Sequence, residues 1–328
     1  MPQAGPFNEE ESSVMDVVQF AILGLGISAV FTLLAQGVVL VYRTSGLLNF
    51  AHGALAMVGA YTFYELNMMR GVPYPLAVLA AMVVPAVVGA VFYWLVLRRL
   101  KHASPIVRIV ATLGLLTVLQ SIATMRYEGE IKRVPSALPL EPVTIGGVTF
   151  GQDRLWLIAI AGVITICLHL LSTRTIWGLA SSAVAENQRA AASLGWSADR
   201  LSVVSWALGS SLGGLAAVLI IPLTGLMVTN LTMLIIPALA VALLAGFRSF
   251  PMILFAGIAV GVAQSLATRF VNVTGVPQSV AFLVIVAVLV VRGRSLPMRS
   301  HVLERLPALG SGRVNWKLLA RLLWPSRS

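Results

Sequence analysis

The stretch VVQFAILGLGISAVFTLLAQGVVLV, residues 17–41, contains no charged side chain and decides the class of fold. An α-helix of about 20 apolar residues crosses the hydrocarbon core of a bilayer. The sequence predicts further spanning helices at 46–66, 74–97, 105–125, 154–172, 201–221, 231–246, 250–269 and 278–292. The run at 231–246 is short and contains Pro237, which interrupts a helix. We therefore predict an all-α, polytopic membrane protein with eight or nine transmembrane helices.

Composition supports this class of fold. Hydrophobic residues make up 58% of the chain and charged residues 11%, against about 25% charged in a soluble domain. A soluble fold could not hide so much apolar surface, so the bilayer is a predicted partner. The net charge of +11 lies in short connections and at the C-terminus, without an aromatic-interleaved basic face. Nucleic acid is therefore not a predicted partner.

The domain organisation follows from the same pattern. Residues 17–295 are the predicted transmembrane domain, and two long connections lie within it, at 126–153 and 173–200. Lys and Arg concentrate in the connections on the same side as 173–200, which predicts that this side is cytoplasmic. The segment 1–16 is then predicted to be extracytoplasmic. It is acidic and lacks the basic start of a secretory signal, so we expect that the first helix is not cleaved off.

The C-terminal segment 296–328 is predicted to be cytoplasmic. Arg313, Lys317 and Arg321 recur every fourth residue in it, opposite a leucine-rich face. Such a basic amphipathic helix is typical of the headgroup layer of a membrane. A tail without consequence is the alternative.

The sequence contains no pattern for nucleotide or metal chemistry. None of its three lysines follows a glycine, so there is no P-loop. The four histidines are far apart, which predicts no metal site. We predict no catalytic residue, no enzyme activity and no cofactor in this chain, so any ATP is bound and hydrolysed by partner subunits.

One enzyme pattern does occur, at Gly209-Ser210-Ser211-Leu212-Gly213. An intramembrane serine protease would need a histidine on a later helix, and after Ser211 the only histidine is His301, in the tail. The alternative is that Gly209 and Gly213 form a small-residue face for helix packing.

The start of the second helix, Gly46-Leu47-Leu48-Asn49-Phe50-Ala51-His52-Gly53, is unusual. Glycines on both sides of an amide and an imidazole predict a helix that is broken near residues 46–53. Polar side chains at membrane depth often mark a pathway. An interhelical hydrogen bond that only fixes packing is the alternative.

Two segments resemble a known family, the permeases of branched-chain amino-acid ABC importers. They are GLLNFAHGALAMVGAY (46–61) and AVAENQRAAASLGWSADRLSVVSWALGSSLGGLAAVL (183–219). The resemblance implies that Asn49, Phe50, His52 and Gly53 belong to a broken helix beside the translocation path. It also implies that Glu186, Arg189, Ala191 and Gly195 belong to short helices that dock onto an ATPase.

The resemblance further implies partners and a location. The partners are a second, homologous permease subunit, two ABC ATPase subunits and an extracytoplasmic substrate-binding protein, and the location is the bacterial inner membrane. Ala217, Gln264 and the stretch 245–252 depart from the family pattern. These departures leave the substrate open among branched-chain amino acids, urea, short amides and aromatic acids.

An ion-coupled secondary transporter is the alternative function. Such a protein holds its coupling ions with acidic side chains inside the membrane. Within the predicted helices only Glu65 is acidic, and it lies near a helix end. The alanine-rich loop 173–200 favours the ATP-driven importer, because only that class needs a cytoplasmic docking helix.

Overall fold

A computed structural model describes residues 7–127, 130–136, 138–139, 141–145, 148–247, 249–271 and 275–292. The predicted amphipathic tail, 296–328, lies outside these residues. The helices are α1 (Phe7–Ser45), α2 (His52–Phe63), α3 (Tyr74–Phe92), α4 (Pro105–Tyr127), α5 (Asp153–Arg174), α6 (Ile176–Glu186), α7 (Gln188–Ser193), α8 (Ala198–Thr224), α9 (Val228–Met233), α10 (Ile235–Leu244), α11 (Phe250–Phe270) and α12 (Val276–Arg292). Single π-helical segments, Tyr64–Met69 and Tyr93–Leu97, extend α2 and α3.

Six helical segments in the described part of the chain are long and apolar enough to cross a membrane. They are Asp16–Ser45, Tyr74–Leu97, Pro105–Tyr127, Asp153–Arg174, Ala198–Thr224 and Phe250–Phe270. The helical, polytopic class is therefore confirmed, whereas the predicted count of eight or nine spanning helices is not. Two shorter apolar segments, Val228–Leu244 and Ser279–Val291, account for part of the difference.

The predicted seventh helix, 231–246, begins earlier and is divided. α9 ends at Met233, and α10 begins at Ile235. Pro237 falls in the first turn of α10, where its missing N–H leaves no helical hydrogen bond unmade. The proline therefore fixes the place where a new helix begins.

Helix α1 forms the centre of the bundle, between α11, α8 and α5. Small residues let these helices approach closely. A side chain at Gly257 would meet Thr32, and one at Gly261 would meet Ser28. Helices pack in lipid through such close contacts, because burial of apolar surface gives no advantage there.

The connection 126–153 contains a short antiparallel hairpin that the all-α prediction missed. Strand β1 (Pro142–Ile145) pairs with β2 (Val148–Gly151), with Val143 opposite Phe150. The alternating β-branched residues Val, Thr and Ile favour strands. The Gly146-Gly147 pair between them was the sequence signal for a hairpin turn.

Candidate functional site

The break predicted near residues 46–53 is present between α1 and α2. Gly46 has φ +68° and donates its N–H to the Tyr42 carbonyl over 2.8 Å, which ends α1 with a left-handed residue. Asn49 then forms a turn before the next helix. Its side-chain Oδ1 accepts the Ala51 N–H (3.0 Å), and its carbonyl accepts the His52 N–H (3.3 Å). This local turn replaces helical hydrogen bonds, so α2 begins only at His52.

The break lies well inside the bundle. His52 contacts Gly37 of α1, which precedes the end of that helix at Ser45 by eight residues, or about 12 Å at 1.5 Å per residue. The segment 46–51 therefore runs back along α1 without helical structure. Irregular backbone at such a depth is tolerated in a membrane only where protein covers it or where it lines a cavity.

The imidazole of His52 is fully buried where α1, α2 and α8 meet. A Cβ at Gly37 would lie 2.7 Å from its Cε1, and a Cβ at Gly213 would lie 3.4 Å from its Nε2. The Leu34 carbonyl is nearby, but neither ring nitrogen has a hydrogen-bond partner of good geometry among the residues that the structure describes. These surroundings are those of a packing residue, and the pathway role of His52 stays a prediction.

The other three residues of this segment touch different helices. Asn49 is buried and its Nδ2 has no hydrogen-bond partner among the described residues. Phe50 is half-buried, and its N–H approaches the buried Thr112 Oγ1 of α4 at 3.4 Å. Gly53 abuts the Thr232 carbonyl of α9, where any side chain would clash. The break therefore joins α2, α4 and α9.

The serine pattern at 209–213 lies in the middle of α8. A Cβ at Gly209 would lie 2.7 Å from the Gly37 carbonyl oxygen, and Gly213 faces His52 and Ala56. The prediction that these two glycines form a packing face is confirmed. A hydrolase nucleophile would instead require a strand-to-helix turn at this position.

The loop 173–200 contains two short helices, α6 and α7. Thr175 caps α6 by accepting the Gly178 N–H at 3.2 Å. α7 ends at Ser193, and Gly195, two residues later, has φ +86°. The N–H groups of Gly195 and Trp196 bond to the Ala192 and Ala191 carbonyls, each at 3.0 Å. This is the Schellman arrangement, in which a glycine with positive φ follows the end of a helix.

The predicted docking residues in this loop have different surroundings. Glu186 and Gly195 are exposed, while Ala191 is buried with Val184 and Leu201, so it holds α7 against the start of α8. The structure describes the backbone of Arg189 but not its side chain. Sequence reasoning missed the loop's exposed apolar side chains, which are Ile176 (70%), Leu179 (71%) and Leu194 (74%).

A second contact missed from the sequence connects α8 to the end of α3. Arg98 Nε donates to Asp199 Oδ2 over 3.1 Å, and the Tyr93 hydroxyl lies 3.5 Å from the other carboxylate oxygen. Asp199 lies in the first turn of α8, where a negative charge also stabilises the helix dipole. An acid at that position was the sequence signal for this contact.

Acidic residues of the spanning segments lie at helix ends, in ion pairs. Glu65 accepts from Arg126 (3.4 Å) and from the Tyr127 hydroxyl (3.2 Å). Asp153 lies 3.6 Å from Arg154. In the middle of the bundle, the Gln36 amide of α1 donates to Thr165 Oγ1 of α5 over 2.5 Å.

Comparisons with known proteins agree with these features. Residues 20–291 match the family model described as "Branched-chain amino acid transport system / permease component". The chain is 26% identical to the BraD high-affinity branched-chain amino acid permease protein of Pseudomonas aeruginosa, over 76% of this chain and 85% of that one. It is 24% identical to LivH of Escherichia coli K12, a permease protein of the same kind, over 85% and 94%.

A third relative is archaeal, and one solved structure is similar. The probable branched-chain amino acid permease LivH of Methanocaldococcus jannaschii is 29% identical over 74% of this chain and 78% of its own. The structure of PsaBC from Streptococcus pneumoniae in complex with Fab covers 86% of this chain and 94% of its own, at 13% identity and a TM-score of 0.47. That last likeness is too weak to carry an argument.

Proposed function

Because the chain belongs to the family of branched-chain amino acid transport permeases, we propose that it is one permease subunit of an ATP-binding-cassette importer. The observation that carries the proposal is the match over residues 20–291, which takes in all but the first few residues of the six spanning segments. The chain forms half of the pore, with a second, homologous permease forming the other half. Two ATPase subunits bind on the cytoplasmic side, and a substrate-binding protein delivers the cargo from outside.

The loop 173–200 supports coupling to an ATPase. A helix transmits movement between two subunits only if both of its ends are held in place. The Schellman turn at Gly195 fixes one end of α7, and the packing of Ala191 on Leu201 fixes it to α8. The apolar side chains of Leu179 and Leu194 stay exposed on this rigid pair of helices. They form the face that docks on the ATPase, which binds and hydrolyses the ATP.

The break at 46–51 supports a path beside α2. Within the part of the chain that the structure describes, the buried Asn49 side-chain amide has no acceptor for its N–H groups, and Phe50 is half-exposed. A buried donor left unpaired costs about 1–3 kcal/mol, which is regained when a polar substrate passes. Asn49 and Phe50 carry this assignment, and the proposed path also includes His52 and Gly53 of the same segment.

The substrates are branched-chain amino acids or related small polar compounds such as urea, amides and aromatic acids. The chain lies in a bacterial inner membrane. Its N-terminus is on the outer side of that membrane, and its C-terminus is in the cytoplasm. Ion-coupled transport is disfavoured, because Glu65 and Asp153 lie at helix ends with basic partners. A coupling ion would need an acid nearer the middle of the bundle.

Uptake by cells that express the chain with its associated subunits tests the function. Labelled leucine should accumulate when ATP is maintained, even after ionophores have collapsed the proton and sodium gradients. Uptake that is lost with the gradients while ATP stays high would favour the secondary transporter. Labelled urea and phenylalanine, offered in the same assay, determine the class of substrate.

A photocrosslinker at Leu194 tests the docking face separately. It should capture an ATPase subunit, because Leu194 is 74% exposed on the loop. Met125, which is 85% exposed at the C-terminal end of α4, is the matched control and should capture none. Capture from both positions, or from Met125 alone, would contradict the assignment.

A further inference from the structure

A basic cleft lies where α3 ends. A half-open cavity of about 260 Å³ is lined there by Trp94, Leu95, Arg98, Arg99 and Lys101. We refer to these five residues as the Trp94 cleft. The volume is just below the roughly 300 Å³ at which pockets for small molecules begin, so the cleft fits a small polar group better than a whole ligand.

The π-helical segment Tyr93–Leu97 shapes the cleft. The Arg98 N–H bonds to the Tyr93 carbonyl over 2.8 Å, five residues back. This wider turn brings Trp94 onto the same face as Arg98 and Arg99, which follow it by four and five residues. Single π-helical turns inside α-helices occur frequently at functional sites.

The cleft has more positive charge than its own contacts neutralise. Arg98 is paired with Asp199 at 3.1 Å. Arg99 and Lys101 form no ion pair with any acid in the described part of the chain. Two cations next to a cavity, beside a third that is already oriented, form a site for an anion with several acceptor oxygens.

A continuous apolar stripe along α3 leads to this cleft. Large apolar side chains recur on it every fourth residue and stay exposed: Leu79 (57%), Val83 (49%), Val87 (55%), Val91 (45%) and Leu95 (41%). Residues four apart lie above one another on a helix. The stripe is therefore an exposed apolar surface that winds along α3 and ends at the basic residues, beside Trp94 (56% exposed).

We propose that the Trp94 cleft binds the phosphate of an anionic phospholipid, and that the stripe holds one of its acyl chains. Arg99 and Lys101 donate to the phosphate oxygens, and Arg98 is shared between the phosphate and Asp199. A molecule with an anionic head and an apolar tail matches both features, whereas a free anion matches the cleft alone. Basic pockets at the ends of membrane helices recognise anionic headgroups in this way.

The bound lipid would strengthen the contact between α3 and α8. Arg98 reaches Asp199 in the first turn of α8, directly after the loop 173–200. A phosphate on the other side of Arg98 holds its guanidinium in place. This inference needs only a membrane-embedded chain and does not depend on the substrate that is transported.

Quenching of Trp94 by brominated lipids tests the proposal. The full-length protein, purified with its associated subunits, is reconstituted in phosphatidylcholine vesicles with either brominated phosphatidylglycerol or brominated phosphatidylcholine. The Trp94 signal is the difference from a Trp94→Phe variant, because the chain has seven tryptophans. We expect brominated phosphatidylglycerol to bind at this position at least roughly fivefold more tightly than brominated phosphatidylcholine.

The ratio of phosphatidylglycerol binding to phosphatidylcholine binding should fall close to one in the double variant Arg99→Gln/Lys101→Gln. The double variant Arg174→Gln/Arg200→Gln removes the same charge elsewhere and should not change this ratio. A ratio near one in the wild type, or an equal loss in both double variants, would overturn the proposal. Loss of the ratio on adding inorganic phosphate would assign the cleft to free anions instead. Capture of an ATPase by a photocrosslinker at Trp94 would assign it to a protein partner. Thermal unfolding followed in each variant shows that the fold is retained.

Discussion

The strongest test of the coupling loop is a graded series at Gly195. This residue has φ +86°, and a Cβ there would meet nothing within 4 Å. A substitution therefore adds backbone strain without any steric clash. A β-branched residue in a sparsely populated conformation costs roughly 1–3 kcal/mol, whereas Asn tolerates the left-handed region well.

These magnitudes predict the order of uptake in the series. Each 1.4 kcal/mol changes an equilibrium about tenfold, so Gly195→Val opens the turn roughly five- to hundredfold more often. Uptake and the stimulation of ATPase activity by loaded binding protein should fall together. Gly195→Asn should remain close to wild type, and Gly195→Ala should lie between them.

The chain offers a matched control at Gly71. It has φ +68° and also has open space around its missing side chain, but it lies between the π-helical segment 64–69 and α3. Gly71→Val imposes the same kind of strain away from the loop and should leave coupling intact. Amide hydrogen exchange over residues 191–196 reports whether the turn has opened. If Gly195→Val opens the turn but keeps normal uptake and normal stimulation of the ATPase, the proposal that the loop 173–200 couples the ATPase to the membrane helices is refuted.

Three further predictions concern the bundle. Gly37→Ala places a Cβ 2.7 Å from backbone and imidazole atoms and should destabilise the protein by about 1–3 kcal/mol in thermal unfolding. The control Gly114→Ala, whose Cβ would have no described atom within 4 Å, should be neutral. Equal effects of the two substitutions would contradict the packing. Asn49→Leu should lower uptake several-fold while the amount of assembled complex stays unchanged; lost assembly with normal specific activity would favour a packing role. In a cysteine-free background, Arg70→Cys should react with an impermeant thiol reagent from outside and Gln188→Cys from inside, and labelling from the same side would refute the predicted orientation.

The sequence alone was sufficient for the class of protein. The uncharged stretch 17–41 and the 58% hydrophobic composition require a lipid environment, because nothing else covers that much apolar surface. The glycine terminus at Gly195 was also predictable, since a positive φ is a local property of the chain. The break after Gly46 was predictable for the same reason.

The surroundings of the polar residues and the interruptions of the apolar runs depended on the three-dimensional structure. Hydropathy does not show that α2 begins only at His52 or that α9 ends before α10, because the stretches around these points are largely apolar. The position of His52 between Gly37 and Gly213 joins residues far apart in the chain. The pairing of Arg98 with Asp199 likewise requires α3 and α8 to meet. A local pattern shows which residues are unusual, whereas only the packing of helices shows what each of them touches.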